Sequence, residues 1–218
     1  MTIREASAIG VEPVVLTSES TVVGLYEPEE TDRTGYQSEA ELEAAFIRQL
    51  QAQAYEYVTF SCEDELITNL RTQLEALNDY TFTDEEWERF FAQSIQTGSS
   101  VEDEIEEKTR RIQEDHVQVL IRDNGESKNI RLIDKQYIHN NRLQVTNQYV
   151  VDTGAHHTRY DVTVLVNGLP LVHIELKRRG VPIREAFNQI NRYQRDSFWA
   201  GAGLFGYVQI FVISNGTH

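Results

Sequence analysis

The chain has one cysteine, Cys62, so it can form no internal disulfide, and it fits a reducing compartment. No apolar run approaches the length of a membrane span. The opening MTIREASAIGVEPVV lacks the basic segment and apolar core of a secretory signal, so the expected location is the cytoplasm, with no membrane. Basic residues are scarce: Lys plus Arg is 20 against 35 Asp plus Glu, a net charge of −15. That balance argues against a simple nucleic-acid binder, which would be basic. No GxxxxGK[ST] phosphate loop is present, nor any internal repeat or low-complexity tract. What is there reads as a soluble globular chain of 218 residues, 40% hydrophobic and 25% charged. That length suits one generous domain, or a domain with an appended subdomain.

Residues 1–35 read as a lead-in with one short strand near 12–16. Ser38 with Glu41 forms a capping box that opens a helix, and Leu42, Phe46 and Leu50 supply its apolar stripe. Glu39 and Glu43 sit four apart beside that stripe. Residues 55–60 read as a strand. Two helices follow: 63–77, with Leu66, Leu70, Leu74 and Leu77 in phase, and 84–95, capped by Thr83 and carrying Trp87, Phe90 and Phe91. The acidic run 101–108 reads as an exposed helix face, with mimicry of DNA charge as the alternative. Segments 116–122 and 129–134 read as a hairpin around DNGES, and 142–151 as a strand. His156 and His157 are adjacent and would point apart on extended backbone, so they read as a loop without metal. Pro182 suits the first turn of a further helix. Residues 207–214, YVQIFVIS, form a continuous apolar run expected to be a strand buried in a sheet.

The chemistry gathers in 160–180, YDVTVLVNGLPLVHIELKRRG. Asn167-Gly168 is a hairpin signal. A strict two-residue turn sets Asp161 opposite Ile174 and sends Glu175 to the other face. A register one residue longer sets Val162 opposite Ile174 and Val164 opposite Val172, an apolar face. It also sets Asp161 opposite Glu175 and Thr163 opposite His173, a polar face. The apolar pattern favours the longer register, through a three-residue loop, a five-residue loop or a bulge. Lys177, two residues beyond Glu175, then shares the polar face. Two converging carboxylates make a site for a hard divalent cation, and a lysine beside them can reach an anion. Scattered charge on a wet hairpin face is the plainer alternative. Around the site lie Lys177, Arg178, Arg179, Arg184, Arg192 and Arg195, opposed only by Glu175, Glu185 and Asp196. Arg178, Arg179, Arg184 and Arg192 are the DNA-contact candidates.

The segment YDVTVLVNGLPLVHIELKRRG followed by IREAFNQINRY resembles the N-terminal nuclease domain of type I restriction enzyme R subunits. YQSEAELEAAFIRQL, KTRRI and FVISNGT extend the resemblance over roughly residues 36–218. It implies an α/β fold, a mixed sheet with flanking helices in the PD-(D/E)XK restriction-endonuclease-like class, with a helical insertion at about 63–112. By motif, Asp161, Glu175 and Lys177 match the catalytic triplet, with Asp161 and Glu175 as Mg²⁺ ligands. Gln189 and Tyr193 match the supporting QxxxY motif. The helix acid maps to Glu43 or Glu39. The proline of the family signature is absent, since Tyr160 precedes Asp161. The resemblance further implies an ATP-driven motor outside this chain, double-stranded DNA as substrate, and modification (M) and specificity (S) subunits as partners. The rival expectation is a catalytically idle domain that docks DNA or the motor.

Overall fold

A computed structural model describes residues 11–16, 22–26, 38–96, 101–152, 157–178 and 203–215. The described fold is mixed α/β. Its centre is a five-stranded sheet of order β3-β6-β7-β8-β9, comprising β3 (Glu56–Tyr57), β6 (Leu143–Asp152), β7 (His157–Val166), β8 (Leu169–Leu176) and β9 (Ile210–Ser214). β6, β7 and β8 pair antiparallel, while β3 and β9 run parallel to β6 and β8. Two small antiparallel pairs stand apart: β1 (Val11–Leu16) with β2 (Val22–Tyr26), and β4 (Val117–Ile121) with β5 (Ser127–Arg131). Four α-helices complete the described chain: α1 (Glu39–Ala52), α2 (Glu63–Asn78), α3 (Asp84–Phe90) and α4 (Val101–Gln113).

Alternation along the strands separates two cores. Val145, Val162, Val164, Ile174 and Leu176 pack on Ile47 and Leu50 of α1. Leu165 and Leu169 join the larger core with Leu66, Leu70 and Leu74 of α2, Phe82, Trp87 and Phe90, and Leu204, Phe205 and Tyr207. Fully burying such a side chain stabilises the fold by about 1.5–3 kcal/mol. The expected capping box at Ser38 forms, and the Thr83 cap is a capping box as well. Ser38 Oγ accepts the Glu41 N–H at 3.2 Å, and Thr83 Oγ1 accepts the Glu86 N–H at 3.1 Å.

The hairpin joins both readings of its register. Asn167 (φ 51°) and Gly168 (φ 82°) form a two-residue turn with Val166 opposite Leu169. A bulge at Val164/Leu165 then restores the longer register, with Val164 opposite Val172 and Val162 opposite Ile174. The turn is docked. Asn167 Nδ2 donates to the Leu132 carbonyl at 3.0 Å and to Asn141 Oδ1 at 2.8 Å.

Several elements differ from the expectation. The strand over 55–60 is only Glu56–Tyr57; Val58 N–H still donates to the Val145 carbonyl, and Ser61 N–H already turns to Glu65 of the next helix. The helix over 84–95 changes at Phe91–Ile95 to a π turn, where Arg111 donates to the Gln93 and Ser94 carbonyls. The hairpin's second strand starts at Ser127 rather than Asn129. His157 opens β7 instead of lying in a loop. The run 207–214 splits into a 3-10 turn, Leu204–Tyr207, and a shorter β9 at the edge of the described sheet, with Ile210 54% exposed. The acidic run is not simply an exposed face: Lys108 is buried, paired with Glu104 and donating to the Gly203 carbonyl at 3.0 Å.

Candidate functional site

Strand alternation puts His173, Glu175 and Lys177 on one side of β8 and its extension. Glu175 and His173 are fully buried, and Lys177 is half-buried. Lys177 Nζ donates to Glu175 Oε1 at 2.6 Å. His173 Nε2 stands 3.6 Å from Glu175 Oε2. On the neighbouring strand the regular pairing stops at Val162, so Asp161 is not laddered against Glu175 as the register predicts. Instead the Asp161 side chain completes the pairing, with Oδ2 accepting the Leu176 N–H at 2.9 Å. A break in pairing also appears on β6. Gln148 adopts φ 56°, and the Gln148–Asp161 pair is missing between Asn147↔Val162 and Tyr149↔Tyr160.

Electrostatics tie these groups together. Burial pushes the Asp161 carboxyl up to about 6, and the nearby charge of Glu175 adds to the rise against the Leu176 N–H and Lys177. Burial works to raise Glu175 as well, but His173 and Lys177 outweigh it and hold its carboxyl below the usual range. Burial works to lower Lys177, but Glu175, then Asp161 and Glu39, keep it above the ordinary value. The buried Glu175 and half-buried Asp161, with one lysine bonded to Glu175, leave an uncompensated negative charge, which a cation would neutralise. Glu175 Oε2 accepts no hydrogen bond among the described residues, its near neighbour His173 Nε2 standing 3.6 Å away, which leaves its lone pairs available to a metal. The donor set is all carboxylate, the chemistry preferred by Mg²⁺. The residues therefore fit a hard divalent cation. Among the described residues no group of three or more His, Cys, Asp or Glu is placed to hold a metal ion.

Both acids of α1 reach this region, and they differ in role. Glu43 accepts from the side-chain amides of Asn147 and Gln148, and its charge acts on Asp161. Glu39 Oε1 accepts the Arg178 N–H at 3.1 Å, and its charge acts on Lys177. Arg178 itself is exposed. Gln189, Tyr193, Arg179, Arg184 and Arg192 lie outside the described residues. Sequence reasoning missed Asn147 and Gln148, since nothing local marks a glutamine for a left-handed backbone.

Residues 36–218 match the family described as "Type I restriction enzyme R protein N terminus". The chain belongs to this family. It is 44% identical over 207 residues to the type I restriction enzyme EcoprrI endonuclease subunit of Escherichia coli, covering 94% of this chain and 65% of that protein. It is 40% identical over 186 residues to the SsaAORF53P endonuclease subunit of Staphylococcus saprophyticus, covering 83% of this chain and 19% of that one. A shorter match, 38% over 108 residues, is to the HindI endonuclease subunit of Haemophilus influenzae. The chain thus spans about two thirds of the first relative and about a fifth of the second. Among the described residues of this R-protein N terminus, no helix is long and apolar enough to cross a membrane.

Proposed function

We propose that this chain is the nuclease part of a type I restriction enzyme R subunit, which hydrolyses phosphodiesters of double-stranded DNA with Mg²⁺. The observation that carries the proposal is the half-buried Asp161 near the buried Glu175, with Lys177 bonded to Glu175, in a chain of this family. Asp161 and Glu175 would hold the ion through carboxylate oxygens. An ion bound there would supply a more acidic ligating water and an offset for charge that develops on the phosphate. Lys177 orients the attacking water and places a positive charge beside the phosphate oxygens. Its bond to Glu175 keeps the ammonium charged and aimed into the site. Glu43 adds negative charge behind Asp161, held by Asn147 and Gln148; Glu39 does the same behind Lys177. Gln189 and Tyr193 are the supporting pair by motif, and Arg178, Arg179, Arg184 and Arg192 the DNA contacts.

ATP-driven translocation, methylation and target recognition belong in this reading to the remainder of the subunit and to M and S partners in the cytoplasm. The test is Lys177→Ala in the full R subunit, assembled with those partners. Cleavage of an unmethylated substrate should fall below detection, while ATP hydrolysis continues. Normal cleavage by the variant would sink the catalytic assignment. A wild-type domain that binds DNA or the motor but never cuts would favour an idle docking domain instead.

A further inference from the structure

His173 is a polar ring where packing alone would favour an aliphatic side chain. It is fully buried, with the edge of Tyr160 at 5.2 Å and Phe211 at 6.2 Å between ring centroids. Burying an imidazole costs about 1–3 kcal/mol unless its nitrogens are engaged. Both face polar atoms. Nδ1 lies 3.4 Å from the Thr163 hydroxyl on the paired position of β7, and Nε2 lies 3.6 Å from Glu175 Oε2. The second distance is a little longer than a hydrogen bond, so the ring faces this oxygen at close range. The other carboxylate oxygen is held by Lys177.

We infer that His173 is a positioning residue for metal binding: Thr163 sets the ring through Nδ1, and the ring sets the Glu175 carboxylate through Nε2. This rests on the proposed function, because it assigns Glu175 to the ion. Because Nε2 faces a carboxylate, we assign the ring proton to Nε2, which makes the Thr163 hydroxyl the donor to Nδ1. A carboxylate gripped by a mobile lysine alone can rotate about its last bond. With a wedged ring on its second oxygen it is held to one orientation before the ion arrives. Such outer partners of a metal ligand are commonly worth about 10–100-fold in metal affinity.

The experiment is calorimetric titration of the 218-residue chain with Mg²⁺ alone, so that no cleavage is read. His173→Gln carries an amide nitrogen out to the Nε2 position, whereas His173→Asn reaches only as far as Nδ1, toward Thr163. The Gln variant should bind Mg²⁺ within a few-fold of the wild type. The Asn variant should bind about 10–100-fold more weakly at matched circular dichroism. Thr163→Val keeps the shape and removes the hydroxyl; it should weaken binding by a few-fold, and it replaces the Asn variant if that one does not fold. Equal affinity of the Gln and Asn variants overturns the inference, as does wild-type affinity in Thr163→Val where it stands in. A wild-type chain that takes up no Mg²⁺ overturns the metal reading first and this inference with it.

Discussion

Asp161 concentrates the cost of the site. Its carboxyl rises from an ordinary value of 3.8 to about 6, by burial first and by Glu175 second, with Glu43 also facing it and Lys177 opposing. The folded chain therefore binds this proton more tightly than the unfolded one. The stability it contributes is complete below the ordinary value and is lost as the pH rises through about 6. Other carboxylates shift the opposite way, Glu86 and Asp134 among them, so the whole chain does not report on Asp161 alone. Asp161→Asn isolates it, because the amide oxygen still accepts the Leu176 N–H without a charge. Without metal, the melting temperature of the variant relative to wild type should climb by several degrees between pH 4.5 and pH 7, roughly 2–4 °C for each kcal/mol. Adding Mg²⁺ at pH 7 should close the gap by stabilising the wild type. A difference that stays flat with pH would mean that Asp161 is not strained by its surroundings.

The hairpin carries Asp161 and Glu175 to their places, and its turn is fixed by a close approach. Gly168 lies at φ 82°, and a Cβ there would meet the Cα of Leu70 at 2.6 Å. Gly168→Ala should cost about 1–3 kcal/mol for overpacking against the backbone of α2, with about 1 kcal/mol more for left-handed strain. Urea denaturation with an unchanged slope would measure it; a loss under about 0.5 kcal/mol, typical of an open surface, would show the turn is not seated. This element was legible in the sequence for a definite reason. Asn167-Gly168 signalled the turn, the valine alternation demanded the longer register, and the bulge at Val164/Leu165 satisfies both. The break at Gln148 was not legible, since its left-handed backbone has no residue signal and follows from the amide contact with Glu43 across the fold. For the same reason Glu39 and Glu43 could not be told apart: both share the helix flank, and only the partners on β6 and at Arg178 distinguish them. β9 misled because a continuous apolar run normally marks a central strand, yet here it ends the described sheet.

For the molecule as a whole the question is how an acidic chain meets a polyanion. Affinity for duplex DNA comes largely from Lys and Arg contacts to phosphates, with release of counterions. The net charge of −15 opposes that approach. Screening confines the opposition to about 8–10 Å at physiological salt, so a local basic cluster can still touch the backbone. Between Glu175 and Ser197 that cluster has six basic side chains, and the buried Glu175 and half-buried Lys177 lie at its start. Base-specific readout needs an element that enters a groove, and none of the described elements is a recognised module of that kind. The 218-residue chain alone should therefore bind nonspecific duplex more weakly than about 1 μM at physiological salt, with no sequence preference, and its affinity should fall steeply as salt is raised. It should also cut poorly, because so weak a grip rarely holds the strand against the carboxylates. A salt-dependent binding titration, followed by a Mg²⁺ cleavage assay on the same duplex, decides this. Sub-micromolar binding or efficient cutting by the isolated chain would mean that its basic cluster overcomes the global repulsion. The strand would then not have to be delivered by the rest of the subunit.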